Sequence, residues 1–167
     1  VDAQNQQIKT HLCQARKIQK SMLPDQEFLD KIRNTRIAFI NEPAEAVAGD
    51  LIDIHYSNEP QHRDMVGLFI CDVSGHGIGS AVLAARIKGA LKFWGTWIQR
   101  RSPAQGFIDL KSRLTKQMAD QFFTAYICLL DLDKGILYAA KAGHPPMIII
   151  RYNQDKPNNP KFEFIES

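Results

Sequence analysis

Cysteine is scarce: Cys13, Cys71 and Cys128 are odd in number and far apart in 167 residues, with no C-x-x-C pair. That pattern excludes a disulfide framework. Two of the three lie in apolar runs, where reduced, buried thiols are expected, and this points to a cytoplasmic compartment. Long hydrophobic runs are missing too. No stretch reaches the length that spans a bilayer and the first residues lack a signal-peptide pattern, so no membrane segment is expected in this chain. An anchor elsewhere in a longer parent protein stays open. The net charge is only +3, too small to argue for nucleic acid as a partner. With 44% hydrophobic and 23% charged residues, disorder is excluded and one globular domain with a sizeable core is expected.

The residues present fall into two periods. In "NQQIKTHLCQARKIQKSML", Ile8, Leu12, Ala15, Ile18 and Met22 recur every three or four positions and Pro24 ends the run. This predicts a helix that either packs on its own domain or connects to an upstream element and pairs with a second chain. The period then shortens. Residues 36–40, 50–56 and 65–73 read as strands. Next come a helical run with Leu83, Ile87, Ala90, Leu91, Trp94 and Ile98 on one face, and a second helix with Phe107, Leu110, Leu114 and Met118 on its stripe. Ser102 caps that second helix, with Pro103 in its first turn and Gln105 placed to reach back as a capping box. Strands resume at 122–132 and 135–143, joined by a tight turn at Asp133-Lys134-Gly135, then at 147–152 and 161–165 around the polar loop "NQDKPNNP". Strands in runs rather than alternating with helices predict an α+β fold with mostly antiparallel sheets.

"CDVSGHGIGSAV", residues 71–82, has the strand–glycine–helix layout of a phosphate-cradling loop. Gly75, Gly77 and Ser80 nearly satisfy the dinucleotide fingerprint. That fingerprint also needs an acid about 20 residues on, and none occurs from Val73 to Ile108. No Lys-Ser/Thr pair follows the glycines, which excludes a Walker loop. The acid-free run carries Arg86, Lys88, Lys92, Arg100 and Arg101; it reads as a solvated basic face or as a docking surface for an acidic or phosphorylated partner. The carboxylates carry more chemistry. Asp50 follows Ala48-Gly49 at the start of one strand and Asp72 ends another. Two acids at adjacent strand ends, each beside glycine, cap turns or share hard cations through oxygen ligands.

"AGDLID" (48–53), "DVSGHGIGSAVLA" (72–84), "FFTAYICLLD" (122–131) and "AGHPP" (142–146), with the lead-in "ARKIQKSMLP" (15–24), resemble the SpoIIE/RsbU-type bacterial protein phosphatases of the PPM superfamily. The motifs stand in the family's order over nearly the whole chain. The resemblance implies an α-β-β-α sandwich of two mostly antiparallel sheets flanked by helices. It divides the chain into a connector helix, 1–24, able to mediate a homodimer through residues 5–22, and a phosphatase domain, 25–167. It implies Mn²⁺ or Mg²⁺ as a pair of ions, with phosphoserine or phosphothreonine of an anti-anti-sigma (STAS-domain) protein as the substrate. Carried over, Asp72 matches the acid that bridges both ions, Asp50 a second ligand, and the Val73 carbonyl a backbone ligand. Gly75 and Gly77 match the loop that admits the phosphate.

His76 is a candidate acid for the leaving oxygen, or a loop histidine that hydrogen-bonds the turn. His144 reads as structural, and Asp53, three residues from Asp50, as facing elsewhere. Two features depart from the family. Ala48 replaces a glycine of its G-G-D motif, and Leu51-Ile52 replaces an aromatic pair. The T-D-G and D-D motifs that complete the family's metal site do not occur in these 167 residues. That predicts missing final strands, weak metal binding and a chain of little activity; a non-catalytic binding or dimerisation module is the alternative.

Overall fold

The computed structural model describes residues 2–43, 45–57, 64–118, 120–153 and 156–165. Its centre is an antiparallel sheet in the order β1 (Leu51–Ser57), β2 (Met65–Val73), β3 (Phe123–Asp131), β4 (Ile136–Ala142). The strands follow the period-two runs closely. Side chains alternate across the pleat, so β2 sends Met65, Phe69, Cys71 and Val73 to one face, all buried, and Leu68, Ile70 and Asp72 to the other.

Helices cover the first face. They are α3 (Ile78–Ala90), α4 (Trp94–Arg100) and α5 (Pro103–Leu114), and their stripes meet Phe69, Val73, Ile127 and Leu129 in the main core. Gly67 lets Trp94 lie flat on the sheet: a Cβ there would stand 2.7 Å from the indole ring. The run expected as one helix over 83–98 is broken by a 3₁₀ turn at Leu91–Phe93. Residues i and i+3 of a 3₁₀ turn eclipse, which keeps both Leu91 and Trp94 buried at 1% and 3% exposure. The Ser102 cap forms, its Oγ accepting from the Gln105 N–H at 3.3 Å. The reach-back half of the capping box does not. The Gln105 amide donates to Asp109 at 2.9 Å instead, because a carboxylate is the stronger acceptor.

Residues 36–40 are not a strand, a correction to the alternation reading. Ile37 and Phe39 pack beside Ile54 and Val66 on the second face of the sheet, while Ala38 and Ile40 point away. The period of two there records packing on a face, not pairing in a ladder. A short helix, α2 (Gln26–Asp30), was also unforeseen; Asp25 caps it by accepting from the Phe28 N–H at 2.7 Å.

β5 (Met147–Asn153) and β6 (Lys156–Ile165) form a second, two-stranded antiparallel sheet. The Tyr126 hydroxyl ties it to β3, donating to the Ile165 carbonyl at 2.7 Å. β6 starts earlier than the expected 161–165, inside the polar loop, of which residues 154–155 lie outside the described residues, as do 58–63 and 166–167. Two antiparallel sheets and a helical layer therefore stand as expected, with the second sheet reduced to a hairpin among the described residues. The first helix, α1 (Asp2–Lys20), buries none of its residues, and Ile8 and Ile18 are half or more exposed. No helix among the described residues is long and apolar enough to cross a membrane.

Candidate active site

Register decides where the two carboxylates meet. β1 and β2 pair Leu51 with Cys71 at the end of their ladder, and one further step sets Asp50 opposite Asp72. Directly opposed residues in an antiparallel pair hold their Cβ atoms about 4.5–5.5 Å apart. Both acids are exposed and share the face away from the helices. The Asp50 carboxyl is held above the ordinary carboxylate range, first by burial and then by repulsion from Asp72, against a smaller pull from His144. Two negative groups on one open face repel each other, and a cation between them would relieve that repulsion. Both are oxygen donors suited to a hard divalent ion.

The next residue in that row is Thr124, the β3 partner of Asp72. Its hydroxyl lies 2.9 Å from His144 Nδ1. Burial holds the His144 pKa below the usual imidazole value, opposed by the fields of Asp72 and Asp50. His144, expected to be structural, is thus braced beside the acids by a hydroxyl. His76 lies at the rim, its Nδ1 3.1 Å from Glu45 Oε1, with both side chains well exposed. Asp53 turns away, as its odd spacing from Asp50 requires. It accepts from Lys88 Nζ at 2.6 Å and Trp94 Nε1 at 3.1 Å on the helical face.

Glycine is needed at three places around the acids. A Cβ on Gly49 would meet the Val73 carbonyl oxygen at 2.7 Å and Val73 Cβ at 2.8 Å, so only glycine lets the Asp50 strand approach the Asp72 strand. Gly75 and Gly77 have φ of 85° and 77°, a left-handed conformation other residues adopt at a cost. The loop they form is pinned by Ser74, whose N–H donates to the Phe122 carbonyl at 2.8 Å and whose hydroxyl accepts from the Phe122 N–H at 3.0 Å. Gln121 adds a bond to the Ser74 carbonyl at 3.1 Å.

Gln19, near the end of α1, was missed by sequence reading. Its side-chain amide donates to the Ala48 carbonyl and accepts from the Ala48 N–H, clamping the peptide two residues before Asp50. The clamp uses only the backbone of Ala48, so a glycine there is not required. Spacing carried no signal for it: the stripe Ile8, Leu12, Ala15, Ile18 and Met22 runs unbroken past Gln19. Gln19→Ala removes two hydrogen bonds and is expected to cost about 1–2 kcal/mol, seen as a lower melting temperature. A melting curve identical to wild type would refute the clamp.

Among the described residues, no group of three or more His, Cys, Asp and Glu is placed to hold a metal ion. The oxygen donors on hand are the Asp50 and Asp72 carboxylates and nearby carbonyls. Cys71 and Cys128 are buried and their thiols are pushed up to about 12 and about 11, chiefly by burial, which excludes them as nucleophiles.

The chain is 30% identical over 148 residues to phosphoserine phosphatase RsbU of Bacillus subtilis (strain 168), covering 84% of this chain and 40% of that protein. It is 30% identical over 145 residues to phosphoserine phosphatase RsbP of the same organism, covering 84% and 34%. The chain thus spans well under half of either relative. In fold it is similar to the SiaA-PP2C domain of Pseudomonas aeruginosa, with a TM-score of 0.73 at 20% identity over 85% of this chain and 56% of that one. The RsbU and RsbW domains of Rv1364c from Mycobacterium tuberculosis align with a TM-score of 0.55 at 20% identity, over 75% and 32%. Residues 62–161 match the family Stage II sporulation protein E (SpoIIE). With residues 62–161, more than half its length, matching that family, the chain belongs to the SpoIIE family.

Proposed function

We propose that this chain is the phosphatase output domain of a bacterial signalling protein, removing phosphate from serine or threonine of an anti-anti-sigma (STAS-domain) regulator in the cytoplasm. The opposition of Asp50 and Asp72 at the open end of the sheet, beside the Gly75–Gly77 loop, carries this reading. The two carboxylates and the Val73 carbonyl would hold Mn²⁺ or Mg²⁺. Bound there, the ions supply charge neutralisation for the phosphoryl group and a lowered pKa for water. The chain's own groups do the rest. Gly75 and Gly77 keep the loop free of side chains so that a phosphate can approach backbone N–H groups. His76, as an imidazolium whose Nδ1–H faces Glu45, would have its Nε2–H left to give a proton to the leaving serine or threonine oxygen. Residues 1–24 act as a connector whose exposed Ile8 and Ile18 suit a homodimer through residues 5–22.

A second reading, a non-catalytic binding module, is favoured by one observation: the described residues bring only two carboxylates together. Calorimetric titration of Mn²⁺ into the chain, with phosphate release from a phosphorylated STAS protein, separates the two. Weak binding, on the order of 10⁻⁴–10⁻³ M as in sites with few ligands, is expected, with slow release abolished by EDTA. Absence of both heat and release would leave the binding module. Release that survives EDTA would overturn the metal-dependent mechanism.

A further inference from the structure

We propose that the groove between α1 and α3 is a docking site for an acidic amphipathic helix of a partner protein. Two hollows make up the groove. One, of about 170 Å³, lies between Ala15, Ile18 and Met22, from α1 and the turn after it, and Ile78, Val82 and Ala85 on α3. The other, of about 410 Å³, continues past Lys88, Gly89 and Lys92 to His55 on β1. Met22 and Ala85 line both, so the two form one trough along α3. Neither Asp50 nor Asp72 lines it.

The two ends of the trough differ in chemistry. Ile18, Ile78 and Val82 are 66%, 64% and 51% exposed and make one end an apolar lip. At the other end Lys92 is exposed and has no ion pair among the described residues. Asp53, the one acid lining the trough, is already held by Lys88 and Trp94, so this end presents positive charge. Gly89 stands between the two ends. A glycine inside a helix costs about 0.5–1 kcal/mol relative to alanine. A Cβ on Gly89 would meet nothing within 4 Å, so packing among the described residues does not call for glycine there. Its effect is to leave the α3 backbone open to a group approaching from outside.

Length and charge select the occupant. From Ile78 to Lys88 the trough follows ten residues of helix, about 15 Å or three turns. A helix laid along it would seat aliphatic side chains at i, i+3 and i+4 against the apolar lip. About ten residues further on, its Asp or Glu side chains would stand beside Lys92. The α1 helix of a second copy is the wrong occupant, because it carries Lys9, Arg16, Lys17 and Lys20 against Asp2 alone and would be repelled at that end. Ile8 does not line the trough and stays available for contact between copies.

The test uses two fluorescein-labelled, alanine-rich helical peptides, each with leucines at i, i+3 and i+4. About ten residues on, one carries glutamates and the other lysines. Anisotropy titrations with the full chain at low salt are expected to show the glutamate peptide binding about tenfold more tightly. Lys92→Glu reduces that preference to less than about twofold, and Lys92→Arg retains it. The double variant Ile18→Ser with Val82→Ser weakens the glutamate peptide by about tenfold. All three positions are exposed, and melting curves verify folding of each variant. Equal or undetectable binding of both peptides by the wild type overturns the docking site, as does a preference that survives Lys92→Glu. Self-association of the wild type that the double variant abolishes, with no peptide preference, gives the groove to a second copy and also overturns it. Lys92-dependent sedimentation with phosphatidylserine vesicles, again with no peptide preference, does the same in favour of a membrane surface.

Discussion

Asp72→Asn is expected to abolish the Mn²⁺ response of this chain while leaving its fold intact. The site has two facing carboxylates among the described residues, so losing one halves its charge. Second-shell changes alone weaken metal sites by about 10–100-fold, and loss of a direct ligand from a weak site should put binding beyond calorimetric detection. Without metal, the same change relieves a repulsion. Asp72 is a cause, after burial, of the raised Asp50 pKa, so Asp50 should titrate lower in the variant. The sign for stability follows. A carboxyl whose folded pKa is raised stabilises fully below its unfolded value of 3.8 and loses that contribution as pH rises through the folded value. Wild-type stability should therefore fall through that window, and Asp72→Asn should flatten the fall. Melting curves and carboxyl NMR titrations across it measure both effects. A variant that binds Mn²⁺ like wild type would remove Asp72 from the site.

Asp53→Ala should be strongly destabilising. Asp53 is 8% exposed and holds Lys88 Nζ and Trp94 Nε1 at once, joining the β1 edge to the helical layer. Its removal strands a partly buried ammonium and a buried indole N–H. Breaking a buried pair costs about 3–5 kcal/mol, and because Lys88 keeps some contact with water the lower end is expected. For a chain of this size that is roughly 6–12 °C in melting temperature. Asp53→Asn keeps an acceptor for Trp94 and should cost less than half as much. A drop under about 2 °C for Asp53→Ala, less than 1 kcal/mol on the same scale, would mean that the pair contributes little.

Local chemistry was legible where it acts over a few residues. The β2 limits, the Ser102 cap and the stripes of α3 and α5 follow from period and capping alone. The 36–40 segment shows where period runs out, because packing on a face and pairing in a ladder give the same alternation. Gln105 shows the same for capping, since the sequence cannot rank Asp109 against the helix N-terminus as an acceptor. The candidate site was half legible. Asp50, Asp72 and the glycine loop stand out in the motifs, whereas Gln19 and Thr124, inside the stretches 15–24 and 122–131, and Glu45, outside any, show their contacts only in the fold.

By itself the sequence determined the α+β class, the family and the residue types at the loop. It also implied that Asp50 and Asp53, three apart on one strand, point to opposite faces. Only the tertiary structure decided what each acid meets. The β1–β2 register aligns Asp50 with Asp72, and the helical layer brings Lys88 and Trp94 to Asp53. Alternation is a property of one strand, but opposition belongs to two, and the core that locks the register is assembled from residues far apart in the chain.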